Sequence, residues 1–134
     1  MTRLTVEQHV PSLTIAPLTR TTLALFAGAS GDHNPIHIDL DAARAAGLED
    51  VFAHGMLSMA YLGRMLTGFI PQRALRDFSV RFAAITPLYA QPRCTGVVTA
   101  VDDREATLAI QVTLPDGTVT LRGEAVIDIT ALHE

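Results

Sequence analysis

His54-Gly55-Met56-Leu57-Ser58-Met59-Ala60-Tyr61-Leu62-Gly63-Arg64-Met65-Leu66-Thr67-Gly68-Phe69 decides how this chain folds. Apolar side chains recur on almost every face of the stretch, so a helix built from it has little polar side to offer solvent. Taken from Val51 to Ile70, the run is long enough to raise a membrane reading. Arg64 alone would cost about 2.5–3.5 kcal/mol at a bilayer centre, and His54, Ser58, Thr67 and three glycines dilute the run further. The expectation is a buried helix of a domain with no membrane segment, running from about Gly55 to Phe69 and stopped by Pro71.

Downstream of Pro71 the hydrophobic period changes from helical to two. Phe78, Val80, Phe82 and Ala84 alternate with other residues, as do Ala106, Leu108, Ile110, Val112 and Leu114. Val119, Leu121, Gly123, Ala125, Ile127 and Ile129 repeat the pattern, and Pro115-Asp116-Gly117 supplies the turn between the last two runs. Cys94 to Val101 reads as a weaker strand.

Upstream, His9 to Thr19 is rich in β-branched residues but broken by Pro11 and Pro17, which suits an edge strand. Thr19 is placed to cap a short helix through Ala27, and Gly28 and Gly31 then free the backbone for a loop. Asp39 caps a second short helix, Leu40 to Ala46, closed by Gly47. The order is strand, helices, one long buried helix, then four antiparallel strands. This is an α+β domain in which a curved antiparallel sheet encloses one central helix, with Ala60 and Gly63 letting the sheet backbone come close. No repeat or linker divides residues 1–134, so a single domain is expected.

Composition narrows the partners. The chain is 49% apolar and 18% charged, against roughly 25% charged in ordinary soluble domains; the shortfall points to surface hidden by self-association, a homodimer or a multiple of it. Net charge is −4 and all ten basic residues are arginine, with no basic run to follow a nucleic acid. Arginine forks still suit a ligand that carries phosphates. Cys94 is the only cysteine, which rules out an internal disulfide and fits small core filler. Met1-Thr2-Arg3-Leu4 lacks the layout of a signal peptide, so a cytoplasmic location is the default expectation.

The chemistry is expected in Gly31-Asp32-His33-Asn34-Pro35-Ile36-His37, where a carboxylate and an imidazole face each other across an Asn-Pro turn. Pro35 pushes Asn34 out of helical geometry and so fixes that turn. Such a pair can hold one water and move its proton, which is what adding water to an activated double bond requires. His54-Gly55 then opens the long helix, and a glycine there leaves its N–H unobstructed for developing negative charge.

Phe26-Ala27-Gly28-Ala29-Ser30-Gly31-Asp32-His33-Asn34-Pro35-Ile36-His37 resembles the hydratase motif of MaoC-like (R)-specific enoyl-CoA hydratases, and the likeness continues through Ala53-His54-Gly55-Met56-Leu57 into Val80-Arg81-Phe82. The resemblance implies the hotdog fold, with a curved sheet around a central helix. It implies a hydro-lyase in which Asp32 and His37 hold the water that adds to C3 of a 2-enoyl thioester, one of them delivering a proton to C2. The Gly55 N–H would polarise the thioester carbonyl, Asn34 would orient the loop, and the product would be an (R)-3-hydroxyacyl thioester. No metal or redox cofactor is implied, coenzyme A entering only as part of the substrate and favoured over an acyl-carrier protein. Hotdog proteins of this kind pair through sheet edges.

Around that core, Met56, Ser58, Met59 and Tyr61 are candidates to line an acyl tunnel, and Arg81 and Arg93 to meet nucleotide phosphates. His54 is read as orienting the turn before the helix, with a direct catalytic role or a substrate contact also open to it, and His33 as solvent-facing. A metal set of Asp32, His33, His37 and His54 has an unusual ligand spacing. Many relatives carry Pro-Gly-Asp after the first long strand; here the region is Pro87-Leu88-Tyr89-Ala90-Gln91-Pro92-Arg93, which leaves that loop's conformation open. Two other readings stand beside the hydratase: a hotdog thioesterase, and a non-catalytic or partner-dependent subunit of a heteromeric hydratase.

Overall fold

The structure is a computed structural model that describes residues 3–133; Met1 and Thr2, which open the amino-terminal stretch read above, and Glu134 lie outside the described residues. Its elements are β1 (Leu13–Thr14), α1 (Arg20–Ser30), α2 (Leu40–Ala45), α3 (Gly55–Thr67), β2 (Leu75–Phe82), β3 (Arg93–Val101), β4 (Glu105–Thr113) and β5 (Val119–Asp128). The strands form one antiparallel sheet in the order β1-β3-β4-β5-β2, so β2 and β1 are its edges. Register shifts at Leu75/Asp77, Val98/Ala100 and Val112/Thr113 mark bulges, which bend strands and raise local twist. That curvature lets the sheet wrap α3.

The main core lies between them. Leu62, Met65 and Leu66 of α3 pack with Val98, Leu108, Ile110, Val112, Leu121, Ala125 and Ile127 of the sheet. Full burial of such a side chain contributes roughly 1.5–3 kcal/mol. A second cluster, Ile15, Leu18, Leu23, Ala43, Val51, Ala53 and Leu57, lies under α1 and α2 and fixes the loop between them against the start of α3.

Several expectations change in detail. α3 ends at Thr67 rather than Phe69, and the sheet wrapped on it leaves one strip uncovered: Met56, Ala60, Arg64 and Thr67 are exposed. Ala60 therefore admits no sheet backbone, and at Gly63 the close neighbour is a side chain, since an added Cβ would lie 3.4 Å from the Phe78 ring. α1 runs on to Ser30, so Gly28 sits inside the helix, and only Gly31, at φ +78°, makes the left-handed exit. The edge strand before it shrinks to Leu13–Thr14 plus one bridge from His9 to Val97, as its two prolines cannot donate to a ladder. Cys94 belongs to a full strand, and β2 stops at Phe82 because the Ala83 and Ala84 N–H groups both turn to the Thr120 carbonyl. In the loop without Gly-Asp, Tyr89 takes φ +67°, and the loop is tied down by paired hydrogen bonds between Leu18 and Tyr89/Ala90.

Candidate active site

The motif loop is built by local hydrogen bonds. Gly31 closes α1 by donating its N–H to the Ala27 carbonyl at 3.0 Å. Asp32 then donates its N–H to Ser30 Oγ at 3.1 Å and accepts the Asn34 N–H on Oδ1 at 3.2 Å. Asn34 accepts the Ile36 N–H on its own Oδ1 at 3.3 Å, starting a single 3-10 turn, Pro35–His37, with proline in the first position, where no N–H is needed. The turn carries the His37 ring back beneath the loop, where it is buried, while Asp32 stays exposed.

Both imidazoles have their tautomers set by main-chain carbonyls, which can only accept. His37 Nδ1 lies 2.7 Å from the Phe52 oxygen, so Nδ1 carries a proton and, in the neutral ring, Nε2 is the acceptor. His54 Nε2 lies 3.0 Å from the Asp32 oxygen, so its proton is on Nε2, and its buried Nδ1 has no partner among the described residues. The two rings stack with centroids 3.9 Å apart and planes 26° apart. Phe52 meets His37 edge-on at 4.8 Å, and Phe26 meets His54 likewise at 5.0 Å.

A carboxylate oxygen of Asp32 and one nitrogen of each imidazole lie within 4.8 Å of one another. Two hydrogen bonds of about 2.8 Å each span that distance through a single water.

Two cavities meet at this point. One, of about 520 Å³, is walled by Asp32, Gly55, Met56, Phe82, Ile85 and Thr86, and so holds the start of α3. The other, of about 460 Å³, runs along the exposed strip of the helix between Phe26, Met59, Gly63 and Phe78, and is mostly apolar. Asp32 and Met56 belong to both. At Gly55 the first N–H groups of α3 have no intrahelical acceptor and carry the positive end of the helix dipole, so an oxyanion placed in the larger cavity is stabilised.

Asp32 and Gly55 therefore share the larger cavity, and Asp32 and His37 the 4.8 Å group, with Met56 and Met59 on cavity walls. His37 and the other sequence candidates are on the wall of neither cavity. Asn34 is a turn former, Ser58 is fully buried with an unpartnered hydroxyl, and His54 is turned to the Asp32 main chain. His33 is exposed. Arg81 projects from the sheet face opposite Phe82, directly across from Arg122, and Arg93 lines a separate hollow on β3 and β4. Sequence reasoning missed Phe52, whose carbonyl sets the His37 tautomer, and Thr86, whose carbonyl accepts the Ala53 N–H at 2.9 Å. Neither has a local signal, since both act through main-chain atoms brought together by the fold.

A curved antiparallel sheet on one central helix is the hotdog fold. The chain belongs to the MaoC-like domain family, which it matches over residues 4–118. It is similar to the mitochondrial 3-hydroxyacyl-[acyl-carrier-protein] dehydratase of Arabidopsis thaliana, 34% identical over 60% of this chain and 47% of that protein. It is also similar to 3-hydroxyacyl-thioester dehydratase Z of Mycobacterium tuberculosis, 30% identical over 64% of this chain and 61% of the relative. The chain thus spans about half to three-fifths of those two proteins. Among solved structures, the (R)-hydratase of Aeromonas caviae superposes with a TM-score of 0.82 at 26% identity, covering 93% of this chain and 96% of that one.

Proposed function

We propose that this protein catalyses reversible hydration of 2-enoyl thioesters to (R)-3-hydroxyacyl thioesters. The observation that carries the reading is a His37 ring nitrogen within 4.8 Å of an Asp32 carboxylate oxygen, one water's span, in a ring fixed by the Phe52 carbonyl. Water held between them gives a proton to this pair as its oxygen bonds to C3. The electrons of the double bond move toward the thioester carbonyl, whose developing charge meets the Gly55 N–H. A proton delivered to C2 completes the addition, and the reverse sequence eliminates water.

The substrate lies across Asp32, with the thioester and its carrier arm in the larger cavity and the acyl chain along the apolar one. A coenzyme A thioester is the favoured substrate, supported by the (R)-specific enoyl-CoA hydratase of A. caviae, of whose length the matched segment is 83%. No metal or redox group enters this chemistry. The test is loss of the enoyl absorbance of crotonyl-CoA and longer analogues, with chiral analysis of the product. Release of free thiol without loss of the double bond would replace the hydratase by a thioesterase.

A second copy belongs to the same reading. β2 is an edge strand, and Met56, Phe82 and Ile85 around the open cavity are all exposed apolar groups. Asp77, Ser79 and Arg81 share the outer face of β2. Antiparallel pairing of two β2 strands about Ser79 sets Asp77 of each copy against Arg81 of the other, and so answers the like-charged neighbour Arg122.

A further inference from the structure

His54 is the last residue before α3, yet its side chain makes no cap to that helix. It reaches instead to the motif loop, is 1% exposed, and lies on the wall of neither cavity at Asp32. Two contacts account for its placement: Nε2–H donates to the Asp32 carbonyl at 3.0 Å, and the ring lies flat on His37 at 3.9 Å. Phe26 holds the ring edge-on at 5.0 Å, so it has little freedom to swing. Its Nδ1 is buried with no partner among the described residues.

We infer that His54 is a positioning residue for both members of the acid/base pair. Its N–H sets where the Asp32 main chain stands, and its face sets the plane in which His37 Nε2 points. Both functions are needed because Asp32 is exposed and its other described hydrogen bonds are local, to Ser30 and Asn34, whereas His37 is buried and tied to Phe52. An imidazole supplies the donor and the flat surface from one side chain. This inference rests on the hydratase reading for its kinetic arm only.

Two variants separate the two contacts. His54→Phe keeps a ring and removes the donor; His54→Gln places an amide N–H near the Nε2 position and removes the ring. With crotonyl-CoA, His54→Phe is expected to lower kcat about 30-fold, as misplaced catalytic groups do, with KM within about threefold. His54→Gln is expected to recover kcat to within about fivefold of wild type. Wild-type kcat in His54→Phe, or a change confined to KM, overturns the inference.

Nitrogen-15 NMR of the wild-type protein is expected to show His54 protonated at Nε2 and bare at Nδ1. In His54→Phe, the Asp32 amide and the His37 ring signals are expected to move while the β4 and β5 amides stay in place. The opposite tautomer, or an unmoved Asp32 amide, also overturns it. An inactive wild-type protein would defeat the hydratase reading and leave the NMR result to decide this one.

Discussion

The ring of Phe82 lies on Gly55, so closely that a Cβ added to the glycine would stand 2.7 Å from Cδ1 and 2.8 Å from Cε1. Glycine at the start of α3 is thus required by a neighbour from the sheet as well as by access to its N–H. Gly55→Ala is expected to lower kcat/KM by about 10–100-fold, somewhat less than outright loss of an oxyanion donor. Because Phe82 is exposed, its ring can swing aside and the fold survives. Adding Phe82→Ala to Gly55→Ala is expected to restore much of the loss, and a double-mutant cycle measures that coupling. Equal losses with and without the ring would show that Phe82 does not crowd the alanine.

Gly63 borders the apolar cavity, with the Phe78 ring at 3.4 Å from an added Cβ. Gly63→Leu fills the space assigned to the acyl chain. Rates with eight-carbon or longer 2-enoyl-CoA are expected to drop by tenfold or more, about what a few lost methylene contacts imply, with crotonyl-CoA changed little. A uniform loss across chain lengths would move the acyl chain elsewhere.

Pairing through β2 makes a charge-swap prediction. Arg81→Asp is expected to shift the protein toward monomer by analytical ultracentrifugation, and Asp77→Arg on the same chain to restore the larger species. If both single changes leave the sedimentation pattern untouched, β2 is not the shared edge.

Asp128 accepts from the Thr130 hydroxyl and from Arg76, and these together pull its carboxyl down to about 2. An unfolded aspartate titrates near about 3.9, so the folded form binds the proton less readily. Its contribution to stability is complete above about pH 4 and is lost as pH falls through about 2. Asp128→Asn is expected to lower Tm at pH 6 and to narrow the difference from wild type as pH approaches 2. A gap that stays constant between those pH values would refute the linkage.

Much of this was legible in the chain. The two-residue alternation of β4 and β5 and the near-continuous apolar run of α3 sufficed for the sheet and helix, because each pattern permits one way of burying its side chains. Asp32, His37 and Gly55 were legible as candidates because their spacing is set by a proline turn and a helix start. What could not be read were contacts made by main-chain atoms. The Phe52 carbonyl that orients His37, and the Asp32 carbonyl that turns His54 inward, leave no mark in the identities of those residues. The exposed strip of α3 was equally hidden, since a pattern of apolar residues does not tell which of them a single copy leaves uncovered.

Asp32 forms part of the wall of two cavities at once, and Met56 is the only other described residue to do so. A molecule reacting there is gripped from both ends by surfaces that otherwise share no residue. Selection for a longer or bulkier tail can reshape one hollow while the handle that delivers the substrate keeps its seat in the other. In such a layout, diversity of substrates costs no rearrangement of the atoms that break and make bonds.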